Sequence, residues 1–188
     1  HRTYEILICD DASADGTAEI ALAAPASNRG IIRVLRRTKD HGLGQAILDG
    51  FAQATGRILG VMDADLQHDE SVLPAMLEAT EHHDIVIGSR YELMGSTAGW
   101  SKHRVLESRL AASLPRRVLR TPIRDPLSGY FMVSRRLYQQ VRSTLRPQGW
   151  KILLEILGHA HGDSAAVIPF SFRPRTQGHS KLNWRVVA

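Results

Sequence analysis

The sequence has a single cysteine, Cys9, among 188 residues. No disulfide can close within the chain, and a reducing compartment fits it best. No apolar run approaches the ~18 residues that a membrane-spanning helix needs. Aromatic residues make up only 6% of the chain and are not interleaved with the basic ones, which argues against a stacking platform for nucleic acid. No internal repeat or low-complexity tract is present, so solenoid, collagenous and disordered readings fall away. There is no signal peptide and no initiator Met. The chain opens at His1, almost inside a strand, stops at "NWRVVA", and reads as a segment of a longer protein.

What is present is ordinary in bulk: 43% hydrophobic and 23% charged residues, enough for one domain over 1–188 with a single core. Positive charge is in excess, at +5, and arginine clusters late, from Arg116 and Arg117 through Arg135 and Arg136 to Arg146. Such a surface suits anionic partners, either phosphate-bearing molecules or an acidic membrane leaflet; the plainer reading is a solvated basic face.

Along the first half of the chain, short β-rich runs alternate with helical patterns. Strands are expected at 4–9 ("YEILIC"), 31–36, 58–62 and 84–89, and helices after Asp15-Gly16-Thr17, over 42–56 and over 71–81. This alternation predicts a largely parallel sheet covered by helices, an α/β architecture in which ligands gather at the carboxyl ends of the strands. After Arg90 the alternation stops. A basic amphipathic helix is expected over 101–119, a strand after "DPLSGY", a short helix over 135–142, a helix within "WKILLEILGHAHG", a strand over 167–172 and a basic polar tail.

The stretch "RILGVMDADLQHDE" carries the chemistry. A buried strand runs into Asp63, Asp65, Gln67, His68 and Asp69. Carboxylates this close repel one another unless a cation lies between them, and Asp-x-Asp suits a hard divalent ion such as Mg²⁺ or Mn²⁺ completed by water and substrate phosphates. Asp69 is better read as the cap of the next helix. A phosphatase with the first Asp as nucleophile expects a small turn next, which "DADLQHDE" does not supply. The histidines lack zinc spacing: His159 and His161 cannot share a helix face, and His82-His83 marks a helix end. His68 alone sits beside the acidic pair. "HGLGQA" reads as close helix packing rather than a phosphate cradle.

Eight blocks occur in order: "ICDDASADGT", "KDHGLGQAILDGF", "GVMDADLQHDE", "IGSRY", "GWSKHR", "DPLSGYFMVSRR", "WKILLEIL" and "RTQGHSKL". Together they resemble the family 2 glycosyltransferases of GT-A fold, most closely the dolichol-phosphate (polyprenyl-phosphate) mannosyltransferases, over nearly the whole chain. The resemblance implies an inverting transfer of a sugar from a nucleotide sugar to a polyprenyl or dolichyl phosphate, with GDP-mannose as the favoured donor and a UDP-sugar as the rival. It implies Mg²⁺ or Mn²⁺ as cofactor, a membrane surface as partner and a place on the cytoplasmic face of a membrane. Asp63, Asp65 and Gln67 match its metal- and diphosphate-binding positions, and Asp10 and Asp11 its nucleoside-holding acidic pair. Arg90, Arg104 and Ser108 match positions facing the acceptor and donor phosphates. Arg175 and Lys181 match a basic pair that closes over the diphosphate. Asp65, Arg90, Arg104 and Asp125 form the expected catalytic set, with Asp125 as a sugar-hydroxyl or loop-ordering residue. A non-catalytic module docking on an anionic membrane is the reading from another class, and a nucleic-acid partner is not expected.

The chain departs from the family in lacking its first strand, with a Pro-x-Tyr-Asn-Glu-like loop. In the family sheet that strand lies between the strands matching 4–9 and 58–62, so open ladder positions are expected there.

Overall fold

A computed structural model describes residues 3–25, 30–39, 41–90, 123–146, 151–160 and 165–173. The helix expected over 101–119 lies outside these residues. Strand β1 (Tyr4–Asp10), helix α1 (Thr17–Ala23) and strand β2 (Gly30–Arg36) form a β-α-β unit. Its ladder is parallel, from Tyr4 opposite Gly30 to Asp10 opposite Arg36. The turn into α1 needs the left-handed backbone of Gly16, at φ 79°, which glycine adopts without a Cβ penalty. Asp15 Oδ1 accepts the Thr17 N–H at 3.0 Å at the start of that helix.

Helix α2 (Leu43–Gln53) leads into β3 (Ile58–Val61). A one-turn 3₁₀ segment (Glu70–Val72) then opens α3 (Leu73–Ala79), and β4 (Ile85–Ser89) follows. Asp69 caps the 3₁₀ turn through the Ser71 N–H at 3.1 Å, as its position after the acidic cluster suggests. The remaining described elements are β5 (Phe131–Ser134), α4 (Arg135–Val141), α5 (Ile152–His159) and β6 (Ala165–Pro169). The last strand begins and ends earlier than the expected 167–172. Its ladder with β4 ends where Ser89 faces Pro169, with the Phe170 N–H donating to the Ser89 carbonyl at 3.1 Å.

The second sheet runs β3-β5-β4-β6. β4 and β6 are parallel, as alternation predicts, whereas β5 lies antiparallel between β3 and β4. Among the described residues no ladder joins β1 to β3.

β4 is buried along its whole length, and both sheet faces are packed. On one face Ile85, Ile87, Phe131 and Val133 meet α2, α4 and α5 through Phe51, Tyr138 and Ile156. On the other, Val86, Tyr130 and Met132 meet Met76 of α3, together with Phe170 and Phe172. Odd and even positions of β4 and β5 thus feed opposite layers, the period-2 alternation of a strand covered on both faces.

One carboxylate bridges the two sheets. Glu5 on β1 accepts the Thr55 hydroxyl at 2.7 Å, the Gly56 N–H at 3.1 Å and the Thr55 N–H, all in the turn leading into β3. It also accepts Arg33 Nη1 at 3.0 Å. Burial pushes this carboxyl up, but the hydrogen bonds from Thr55, Gly56 and Arg33 outweigh it and hold Glu5 down at about 2, against 4.5. The folded state therefore binds this proton later than the unfolded chain as pH falls. The stabilisation is complete above about pH 4.5 and is lost as pH drops towards 2. Acid unfolding followed by circular dichroism should show this loss in the wild type. Glu5→Gln should be less stable at neutral pH and flatter across that window; an unchanged acid profile would show that the bridge contributes nothing.

Candidate active site at the strand ends

Because β5 is antiparallel to both its neighbours, the loop entering it lies at the carboxyl ends of β3 and β4. Phe131 pairs with Val61 and with Ile87. β6, parallel to β4, also ends there. Four segments therefore converge: residues 62–70 after β3, Arg90 after β4, residues 123–130 before β5 and residues 170–173 after β6.

The first segment holds the acidic pair. The Asp63 N–H donates to His68 Nδ1 at 3.2 Å, and Asp65 Oδ1 accepts the Gln67 N–H at 3.1 Å. Between them Leu66 adopts φ 62°, a left-handed conformation that costs a non-glycine residue about 1–2 kcal/mol. The Asp63 carboxylate rests over Gly129 of the loop before β5. A Cβ at 129 would stand 3.1 Å from Asp63 Oδ2 and 3.5 Å from Cγ. Gly129 thus clears the space the carboxylate occupies.

Gln67 is buried. Its Nε2 donates to the Arg173 carbonyl at 3.1 Å, while the Arg173 N–H donates to the Gln67 carbonyl at 2.9 Å. The Arg173 guanidinium pairs with Asp69 at 2.9 Å and Glu70 at 2.7 Å. These bonds pin the acidic loop to the chain beyond β6.

Arg90 and Asp125, 35 residues apart, meet in a two-pronged ion pair. Arg90 Nε donates to Asp125 Oδ2 and Nη2 to Oδ1, each at 2.9 Å. Asp125 is 1% exposed, and the guanidinium also lies 5.3 Å from the centre of the Phe172 ring. The Ser128 hydroxyl ties the same loop to the end of β4, donating to the Gly88 carbonyl at 2.7 Å. Asp125 thus ties the loop before β5 to Arg90 at the end of β4.

His68 packs among Tyr130, Phe170 and Phe172, with ring centres 4.9, 5.5 and 5.5 Å away. Burial, reinforced by the nearby Arg90 charge, pushes its pKa down to about 4, so the ring is neutral near pH 7. Tyr130, pushed up to about 12 chiefly by burial, keeps its hydroxyl proton and donates to the Asp69 carbonyl at 3.1 Å.

A second acidic group sits at the ends of β1 and β2. The buried Asp10 accepts the Ser13 N–H at 3.2 Å and so folds its own turn. Asp11 pairs with the buried Arg37 and accepts the Gly42 N–H at 3.1 Å. Arg37 also reaches Asp49 of α2 at 2.8 Å. Burial works against the Arg37 charge, but the two carboxylates more than restore it.

Of the residues singled out from sequence, the structure brings Asp63, Asp65, Gln67, Arg90 and Asp125 to one edge, with Asp10 and Asp11 at the neighbouring sheet. Arg104, Ser108, Arg175 and Lys181 lie outside the described residues. Sequence reasoning missed Arg37, Arg173 and Gly129. A charged residue directly after a β-run was the available signal for Arg37, and a glycine before an aromatic strand for Gly129. Among the described residues, no three His, Cys, Asp or Glu side chains form a metal cage of their own.

The family model for glycosyl transferase family 2 matches residues 1–142. The chain is 40% identical over 187 residues to the dolichol-phosphate mannosyltransferase of Pyrococcus furiosus, spanning 98% of this chain and 52% of that one. It is 35% identical to the enzyme of the same name from Mycosarcoma maydis, over 97% of this chain and 63% of that protein. For the Saccharomyces cerevisiae protein of that name the values are 34%, 97% and 70%. The chain thus spans between about half and 70% of the length of these relatives.

Among solved structures, it is similar to glucosyl-3-phosphoglycerate synthase from Mycobacterium tuberculosis in complex with Mn²⁺ and UDP-glucose. The TM-score is 0.59 at 16% identity, covering 95% of this chain and 72% of that one. It is also similar to mannosyl-3-phosphoglycerate synthase from Rubrobacter xylanophilus, with TM-score 0.61 at 19% identity, covering 93% and 57%. These likenesses show the α/β fold of GT-A type. With the ordered blocks, the converging strand ends and the match over residues 1–142, they lead to one conclusion: the chain belongs to glycosyl transferase family 2.

Proposed function

We propose that this chain is the catalytic domain of a polyprenyl-phosphate glycosyltransferase, moving mannose from GDP-mannose to a dolichyl or polyprenyl phosphate with inversion at the anomeric carbon. The observation that carries the reading is the Asp63-Ala64-Asp65 turn at the end of β3, its first carboxylate seated over Gly129 and its loop pinned by Gln67 to Arg173. Similarity to dolichol-phosphate mannosyltransferases, at 35–40% identity across 97–98% of the chain, supports the choice of acceptor and donor.

The residues fit a divalent cation. Mg²⁺ or Mn²⁺ takes oxygen ligands, commonly one or two carboxylates with water and substrate phosphates completing the shell. Asp63 and Asp65 supply the carboxylates. The Gln67 amide nitrogen is committed to Arg173, so its side-chain oxygen is the atom that would serve as a further ligand. A cation held there would neutralise charge on the departing nucleoside diphosphate.

The chain's own groups do the rest. Arg90, oriented by Asp125 at the end of β4, places a fixed positive charge beside the acidic turn. With Arg104 and Ser108 it is assigned to the acceptor phosphate, and Arg175 and Lys181 to the donor diphosphate. Asp10 and Asp11 are assigned to the nucleoside end, Asp11 steadied by Arg37. The nucleophile is a phosphate monoester already ionised near neutral pH, so no side chain has to remove its proton. Residues 101–119 are assigned to the membrane surface on its cytosolic face. None of the described helices is long and apolar enough to cross a membrane.

The reading is tested by a donor screen on the full-length protein with a polyprenyl phosphate, following GDP against UDP release. GDP-mannose turnover that depends on the lipid supports it, UDP-sugar turnover changes the donor, and no turnover with either contradicts it. Gly129→Ala offers a local check. The added methyl should push the Asp63 carboxylate aside by a few tenths of an ångström and slow transfer by about 10–100-fold with the fold kept. Unaltered transfer would show that the position of Asp63 is not critical.

A further inference from the structure

Asp63 is held from two sides, and the second hold has no place in the chemistry above. Its carboxylate rests on Gly129, but its backbone N–H, which can only donate, is directed at His68 Nδ1 at 3.2 Å. An imidazole nitrogen that accepts a hydrogen bond carries no proton, so the ring proton sits on Nε2. The ring cannot swing away from this duty. Tyr130 from the strand-entry loop and Phe170 and Phe172 from the chain beyond β6 enclose it, and all three are themselves buried. Tyr130 is fixed in turn by its bond to the Asp69 carbonyl. The cage walls come from two of the other converging segments, and they deliver a single acceptor atom to one backbone amide.

We infer that His68 is a positioning residue: as the neutral Nε2–H tautomer locked in an aromatic cage, it fixes the backbone of Asp63 and thereby the direction of the carboxylate offered to a divalent cation. The inference rests on the metal reading of Asp63 proposed above. The chemistry is that of outer-sphere support, in which a group that never touches the ion sets the angle of one that does; loss of such support typically weakens metal binding by about 10–100-fold.

Two substitutions separate this role from packing. His68→Phe keeps a ring in the cage but removes the acceptor, releasing the Asp63 N–H to water. His68→Asn keeps an acceptor, Oδ1, near the position of Nδ1, but leaves a void among Tyr130, Phe170 and Phe172. Binding of Mn²⁺ to the full chain, read from the paramagnetic resonance of the free ion, is compared with the melting temperature for each variant and for Asp63→Ala. The expected pattern crosses: His68→Phe melts near the wild type but binds Mn²⁺ about 10–100-fold more weakly, and His68→Asn melts lower but binds close to the wild type. The ¹⁵N spectrum of the wild type should show His68 protonated at Nε2 alone. Wild-type Mn²⁺ binding in His68→Phe alongside loss in Asp63→Ala overturns the inference and leaves the metal reading standing, as does binding that merely tracks melting temperature in both His68 variants. Undiminished binding in Asp63→Ala overturns the metal reading and this inference with it.

Discussion

Asp125→Ala should be the most destabilising single change in the site, costing about 3–5 kcal/mol. Asp125 is 1% exposed, and its two oxygens are taken by Nε and Nη2 of Arg90, itself largely buried. Deleting the carboxylate leaves a guanidinium charge in a place built for a pair, and that uncompensated charge carries most of the cost. The double variant Arg90→Ala/Asp125→Ala should therefore be more stable than the sum of the two single changes predicts. Arg90→Lys should also fail to substitute, because a point ammonium cannot make two parallel bonds to one carboxylate. If Arg90 further grips the acceptor phosphate, Arg90→Lys should reduce transfer tens-fold to thousands-fold, an amount typical of losing a desolvated charged partner, while donor affinity holds. Calorimetric unfolding and transfer rates of the four proteins decide this. Wild-type melting of Asp125→Ala would mean that the pair is dispensable, and donor affinity falling in step with transfer would remove Arg90 from the acceptor.

Asp63→Ala and Asp65→Ala should have the opposite profile, with activity lost and the fold retained. Both carboxylates lie half-buried at a strand end, outside the two apolar layers. Their removal should leave melting close to the wild type. On the metal reading, a divalent cation held by these two carboxylates would contribute several kcal/mol to stabilising charge on the departing diphosphate, so transfer should fall about 10³-fold or more. Excess chelator should reproduce the loss in the wild type, and added Mg²⁺ or Mn²⁺ should reverse it. A chelator-resistant wild type, or an Asp63→Ala protein with ordinary turnover, would remove the metal from the account.

Much of the fold could be read from the sequence because its strands and helices are locally specified. The runs at Tyr4–Asp10, Gly30–Arg36 and Ile58–Val61 are β-rich and end in turn formers, and periodicity locates them to within a residue or two. Ladder direction is not a local property. Nothing in "FMVS" distinguishes a parallel from an antiparallel strand, and β5 takes the slot between β3 and β4 only because its two faces complete both core layers. The acidic turn was equally legible, since Asp63 and Asp65 directly follow an apolar run. Their supports were not. Gly129 lies 66 positions beyond Asp63, Arg173 is 106 beyond Gln67, and Arg37 meets Asp11 and Asp49 from the end of another strand. Such contacts exist only once the strands are aligned, and a single sequence carries no trace of the alignment.

The most direct test of the account follows a radiolabelled sugar from GDP-mannose into the lipid phase, with the full chain, a polyprenyl phosphate and Mn²⁺. The account predicts an inverted, lipid-linked mannosyl phosphate that forms only when both acceptor and cation are present, and that disappears in Asp63→Ala. Label released as free mannose without entering lipid, or entering lipid equally well in excess chelator, would contradict it.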